Sequence, residues 1–292
     1  MIGSPFLDGR DRYERSMDGW VDNTFDDAFT HTVQIGDDRL RVELKAVCTP
    51  SPGYEVRSAA ARVVEGDGDG LGQFDQLAGT RMVAGFTRRL TEVAGTGPAA
   101  RLLVDAGIEV ARLARQAVKL PREATAHLVT GDARACWELD TASWIDLPGS
   151  CFTYSDNGRA LLDTRPVTTP MVVELYSPAP AARRLFVRRK VMRLVRTGER
   201  LHLFHSMHDN VHGFDIHYEI DLEAGTVIAA DSITSRLPYQ GICTEPQGRI
   251  HSLLGAPADA SLRKRIQGLL GGEQGCAQLY DLTADLLKLL SL

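Results

Sequence analysis

Five of the eight histidines of this chain fall between Leu201 and Asp221, in the stretch LHLFHSMHDNVHGFDIHYEID. Neutral imidazole is the commonest metal ligand, so histidines this dense point to a metal or an iron-centred cofactor. The segment must also be able to aim them. Leu201 to His208 and Phe214 to Asp221 alternate apolar and polar residues with the period of half-buried strands, and Asp209 to Gly213 reads as the turn of a β-hairpin. The second strand is expected to bury Phe214, Ile216, Tyr218 and Ile220. His208 and His212 then lie at the mouth of the hairpin, and His205 points with Leu203 and Met207 toward an apolar layer. These three are the candidate metal ligands. A surface hairpin with scattered histidines and one hydrogen-bonded core histidine is the plainer alternative.

At 292 residues, with 43% hydrophobic and 24% charged residues and a net charge of −5, the chain can bury a sizeable core. The balance excludes disorder and gives no nucleic-acid footprint. The polar start has no apolar stretch suited to a signal peptide, and no later segment offers about 20 apolar residues to span a membrane, so a cytoplasmic protein is expected. Five cysteines, Cys48, Cys136, Cys151, Cys243 and Cys276, are an odd number without close spacing. Reduced thiols are expected, not a disulfide framework.

Residues 1–30 are acidic and turn-rich and read as a strapping segment, with Trp20, Phe25 and Phe29 available for docking. Arg39 to Val47 and Tyr54 to Val64 read as strands joined by a Pro50, Pro52, Gly53 turn. The EGDGDGLG run from Glu65 to Gly72 lacks the third acidic position and terminal Glu of an EF-hand. From Gln73 to Leu120 helical spacing, broken near Gly79 and at Gly95 to Pro98, suggests three helices. A connector follows, in which Ala126 to Asp140 offers one or two strands. Eight Arg or Lys residues between Arg183 and Arg200 are interleaved with apolar ones, as in a strand with a solvated basic face; recognition of an anion is the sharper alternative. Beyond the histidine hairpin, Thr226 to Leu237 reads as a strand, and Gly241 to Leu289 as three helical stretches broken at Gly255 and at Gly271 to Gly275.

The two ends of the chain therefore look alike. A shift of 176 positions superposes Leu77 on Leu253, Gly79 on Gly255, Gly95 on Gly271, Leu103 on Leu279 and Asp105 on Asp281. This pattern predicts a duplicated unit, with the chemistry in the second copy and the first serving as scaffold. The implied fold is α+β, two similar units each with an antiparallel sheet and about three helices on one face: residues 1–120, a connector at 121–180, and residues 181–292.

Three segments of the second unit carry a resemblance: His212-Gly213-Phe214 leading to Ile220-Asp221, PYQGIC from Pro238 to Cys243, and GCAQL from Gly275 to Leu279. They resemble the His-Asp-Met, Pro-Tyr-x-x-x-Cys and Gly-Cys-x-His-Leu motifs of a bacterial family defined only as a domain of unknown function, over roughly Arg196 to Leu290. In that family one further His with the first His and two Cys looks like a zinc set. Here Gly213 replaces the acidic residue and Gln278 the last histidine, leaving His212, Cys243 and Cys276. Buried cysteines acting as small hydrophobes are the alternative.

In overall length the chain is also similar to oxygenases that act on propenylbenzenes such as trans-anethole. That likeness, with no GxGxxG, Walker loop or GxSxG, implies oxidation of the side-chain double bond of a small aromatic at an iron or haem centre. His205, His208 and His212 would be ligands, Tyr239 a donor to bound oxygen or substrate, and the ring would lie near Leu253 and Leu279. The alternatives are a cofactor-free hydratase or isomerase using Asp209, Asp215 or Glu219 as base, and a non-catalytic binding or assembly protein. No nucleic-acid or membrane partner is expected, and a homo-oligomer is compatible with the sequence.

Overall fold

The computed structural model describes residues 3–68 and 70–291. Eight strands form one antiparallel sheet in the order β4-β3-β2-β1-β5-β6-β7-β8. They are β1 (Arg12–Asp22), β2 (Phe29–Gly36), β3 (Arg41–Cys48), β4 (Val56–Glu65), β5 (Phe186–Thr197), β6 (Arg200–Asp209), β7 (Gly213–Asp221) and β8 (Thr226–Arg236). The fold is thus α+β, but the strands make a single sheet in place of two. Its middle is the β1–β5 pair, where Ser16 faces Val191.

Each run of four strands is followed by a 3-10 turn and two helices. The first set is Phe74–Leu77, α1 (Phe86–Val93) and α2 (Pro98–Leu113). The second is Glu245–Leu253, α6 (Leu262–Leu270) and α7 (Ala277–Leu287). Between them lie the short α3 (Arg122–Thr125), α4 (Ala133–Ser143) and α5 (Asp156–Thr164). Among the described residues no helix is long and apolar enough to cross a membrane.

Both long helices lie on the same face of the sheet. Apolar residues of α2, among them Leu103, Ala106, Val110 and Leu113, are buried, and a Cβ on Gly19 of β1 would come within 2.9 Å of Leu113. Over the other half, His205 of β6 and Tyr218 of β7 hydrogen-bond to α7 at the Leu282 carbonyl and the Thr283 hydroxyl. Along β7 the buried side chains are Phe214, Ile216, Tyr218 and Ile220, the face the alternation predicts.

Two assignments are corrected. The strap expected of residues 1–30 is not found in its described part, residues 3–30, because β1 runs through the centre of the sheet. Its inward face reads Tyr13, Arg15, Met17, Gly19, Val21, and a charged residue and a glycine break the apolar alternation. Arg15 is tolerated there because Asp105 of α2 meets it at 2.7 Å. Residues 126–140 hold no strand but the start of α4, capped by Asp132, whose carboxylate accepts from the Ala135 amide.

The basic tract forms β5 and is corrected in part. Arg189 is on the solvated face as expected, but Arg188 and Lys190 have the parity of Phe186, Met192 and Leu194 and are buried under the helices. They survive there because the helices supply carboxylates. Glu109 of α2 accepts from Lys190 at 2.6 Å and from Arg188 at 3.0 Å. Farther along the seam between α2 and α7, Arg112 pairs with Asp281 at 2.9 Å and Lys288 pairs with Asp105 at 2.8 Å.

Candidate functional site

The β6–β7 turn is built around one carboxylate. Asp209 Oδ1 accepts the backbone amides of Val211 at 2.8 Å and His212 at 2.6 Å, which closes the turn and leaves little freedom to the residues after it. The His212 ring folds back onto the same group, with Nδ1 at 3.1 Å from both carboxylate oxygens. On the far side Arg188, with 0% of its surface exposed, donates to Asp209 Oδ2 from Nε at 2.9 Å. Burial would raise the Asp209 pKa, but the His212 imidazole and the Arg188 guanidinium outweigh it and hold the acid below its ordinary range.

An ionised Asp209 can only accept, so the proton on the His212 ring sits on Nδ1. The Nε2 lone pair is then left as a base. His212 lines a cavity of about 120 Å³ whose other walls come from just past the end of α2, the connector, the segment 237–246 after β8 and the start of α7. Trp144, Leu147, Met171, Leu175, Phe214 and Leu237 make it mainly apolar.

Asp140 of α4 lines the same cavity. Tyr176 donates to its Oδ1 at 2.6 Å, and Tyr154 at 2.7 Å and Tyr239 both donate to its Oδ2. Burial raises its pKa to about 6 even though the three phenols favour the charged form. The phenols are pushed upward in turn, by burial first and by the Asp140 charge second. The cavity therefore combines an imidazole held by one acid with a second acid, Asp140, whose pKa burial raises to about 6.

Three thiols, Cys151, Cys243 and Cys276, also line it. Burial pushes each upward, Cys276 to about 11, and Cys243 is 2.9 Å from the Thr153 hydroxyl. They are neutral thiols, unsuited to act as nucleophiles. His212, Cys243 and Cys276 do share this cavity, but among the described residues no group of three or more His, Cys, Asp or Glu side chains is arranged to hold a metal ion.

The three expected histidine ligands do not meet. His205 is 1% exposed, with Nδ1 3.0 Å from the Leu282 carbonyl, and burial lowers its pKa to about 3. The space beside it is about 30 Å³, room for about one water. That volume has no place for a haem macrocycle. His208 points to the opposite, open face, half exposed and 3.3 Å from Asp215. Of the three, His212 alone lines the 120 Å³ cavity. Tyr239 is buried with its hydroxyl turned to Asp140, so it is not a free donor. Of the alternative bases, Asp209 is buried behind His212, while Asp215 and Glu219 sit on the open face, Glu219 paired with Arg200. Leu253 and Leu279 are core residues away from this cavity.

Sequence reasoning missed Asp140, Tyr154, Tyr176, Glu109 and Arg188. Two of them left a signal: Glu109 lies on the apolar stripe of α2 between Ala106 and Val110, and Arg188 shares the inward parity of β5. An acid and a base on two buried faces indicate a cross-element pair.

Residues 195–290 match the family described as "Protein of unknown function (DUF2889)". No curated protein and no solved structure matches the chain. The matched region contains His212, Tyr239, Cys243 and Cys276, and leaves out Glu109, Asp140, Tyr154 and Arg188.

Proposed function

We propose that the protein is a cofactor-independent acid–base enzyme, a hydratase or isomerase, acting on a small one-ring aromatic compound. The observation that carries this reading is that His212, oriented by Asp209, and the tyrosine-bound Asp140 line one apolar cavity. An engineered apolar cavity of about 150 Å³ holds benzene, so about 120 Å³ here limits the ligand to about one small ring. His212 Nε2 accepts a proton from the substrate or from the attacking water, and Asp209 stabilises the imidazolium that forms. The imidazolium then returns that proton to the other end of the reacting bond, and Asp140 with its phenols is the second polar group of the cavity. No electron acceptor is needed.

Oxidation at a His-ligated iron has less support, because His205, His208 and His212 lie apart. The five cysteines are free, which supports a reducing, cytoplasmic setting. We also infer that the chain is a duplicated unit. The 176-residue shift carries α1 onto α6 and α2 onto α7, and it turns the Arg112–Asp281 pair into the Lys288–Asp105 pair, as a two-fold relation between copies would.

The test is proton exchange. Purified protein is incubated in heavy water with one-ring phenols, aryl ketones and phenylpropenes, and NMR follows deuterium entering the substrate. Exchange or water addition that disappears in His212→Ala supports the reading. No exchange from any ring compound that binds, with oxygen uptake and stoichiometric iron instead, overturns it.

A further inference from the structure

Behind the His212–Asp209 pair runs a chain of buried charges that begins in the other half of the protein. Arg188 lies between two carboxylates, Asp209 Oδ2 at 2.8 Å from Nη2 and Glu109 Oε1 at 3.0 Å from Nη1. Glu109 belongs to α2, about a hundred residues before the hairpin, and is itself buried. Its carboxylate also receives Lys190 at 2.6 Å and Arg112 at 3.3 Å. From there the chain continues through Asp285, which takes Arg112 at 2.6 Å and Lys288 at 2.8 Å. One anion at 109 thus fixes three cations, and one of those fixes the acid that orients His212.

A guanidinium is a planar fork, and its direction is set by the groups at both ends. With only Asp209 to hold, Arg188 can rotate toward other carboxylates of the seam. With Glu109 in place it is clamped from behind and presents Nε to Asp209 in one orientation. We propose that Glu109 is a positioning residue of the site, acting through Arg188 and Asp209 to keep His212 in the tautomer that leaves Nε2 free in the cavity. The first half is therefore no mere scaffold: it supplies the rear anchor of a base carried by the second half. This inference rests on the reading of His212 as the base.

The test uses the full chain labelled with ¹⁵N-histidine, in which the two ring nitrogens of His212 report the tautomer directly; loss of the signals in His212→Ala assigns them. The wild-type protein is expected to show one tautomer at pH 8, protonated at Nδ1. In Glu109→Gln a mixture is expected, with proton exchange on the substrate falling on the order of a hundredfold, while phenol, used as the cavity probe, binds within about twofold. Asp281→Asn is the control. It removes another partner of Arg112 without touching Glu109, Arg188 or Asp209, and is expected to change neither signal.

Because Glu109→Gln leaves three buried cations short of an anion, the charge-balanced pair Glu109→Gln with Lys190→Met is made alongside it. A folded variant of either kind that keeps the single tautomer overturns the proposal, as does failure of both to fold, which would make Glu109 a residue of the fold alone. A wild-type protein with the expected tautomer and no exchange on any ring compound sinks the proposed reaction but not the positioning role. Exchange that survives in Glu109→Gln with a mixed tautomer sinks the role and leaves the reaction.

Discussion

His212 Nδ1 lies 3.1 Å from each oxygen of Asp209, and the same Asp209 accepts the His212 backbone amide at 2.6 Å. The residue that shapes the turn also orients the ring, so altering Asp209 changes both. Asp209→Asn keeps the size but can present Nδ2–H where an acceptor is needed, so the tautomer is no longer enforced. The expected outcome is a loss of turnover on the order of 10³- to 10⁴-fold. Stability should fall by about 3–5 kcal/mol, because Arg188 loses a buried partner. Steady-state rates and urea unfolding at pH 7 check the two arms.

His212→Ala separates chemistry from folding less cleanly than an exposed turn residue would. The ring is only 7% exposed and lies against Phe214 with centroids 6.3 Å apart. Truncation is therefore expected to cost about 1–3 kcal/mol, while exchange drops to background. Unchanged exchange in a folded His212→Ala protein would remove His212 from the site.

Asp140 has a folded pKa near 6, above its ordinary value of 3.8, so the folded state binds the proton more tightly than the unfolded one. Its contribution is fully present below pH 3.8 and is lost as pH rises through about 6. Comparison with Asp140→Asn isolates it: the wild-type stability minus the variant's should fall by roughly 3 kcal/mol between pH 4 and pH 7. A difference that is flat with pH would contradict the raised value. Tyr239→Phe, which removes one donor from Asp140, should destabilise most above pH 6, by about 1–3 kcal/mol.

His205 titrates in the opposite sense. Burial first, and the Lys190 charge second, lower its pKa to about 3 from 6.5, so the unfolded state binds the proton more tightly. Its contribution is present above pH 6.5 and is lost as pH falls toward 3. Against a His205→Gln reference the wild-type protein should lose up to about 5 kcal/mol over that window, read from denaturant unfolding at stepped pH.

Gly255 and Gly271 both stand at helix breaks, but their backbones differ. Gly255 has φ +75 and Gly271 φ −95, the positive value after that break falling on Gly272. Gly255→Val is therefore expected to cost about 1–2 kcal/mol or more from left-handed strain. Gly271→Val escapes that strain, and its added Cβ would instead sit 3.0 Å from the Gln267 carbonyl. Thermal melts of the two variants should place Gly255→Val lower.

The sequence alone settled what is local. Alternation placed β7 and its buried Phe214, Ile216, Tyr218 and Ile220, helical spacing placed α2 and α7, and glycine breaks marked their ends, because each pattern depends on neighbours two to four residues apart. It also singled out His212 and its turn. The cavity was decided only by tertiary structure: Asp140 and its three tyrosines come from segments up to 99 residues apart, and no periodicity links them. Pairing β1 with β5 made one sheet of two strand runs and brought α2 beside α7, so that Glu109 could meet Arg188 and Lys190. A buried charge reads as an exposed one until its partner is known, and here the partners lie on other elements.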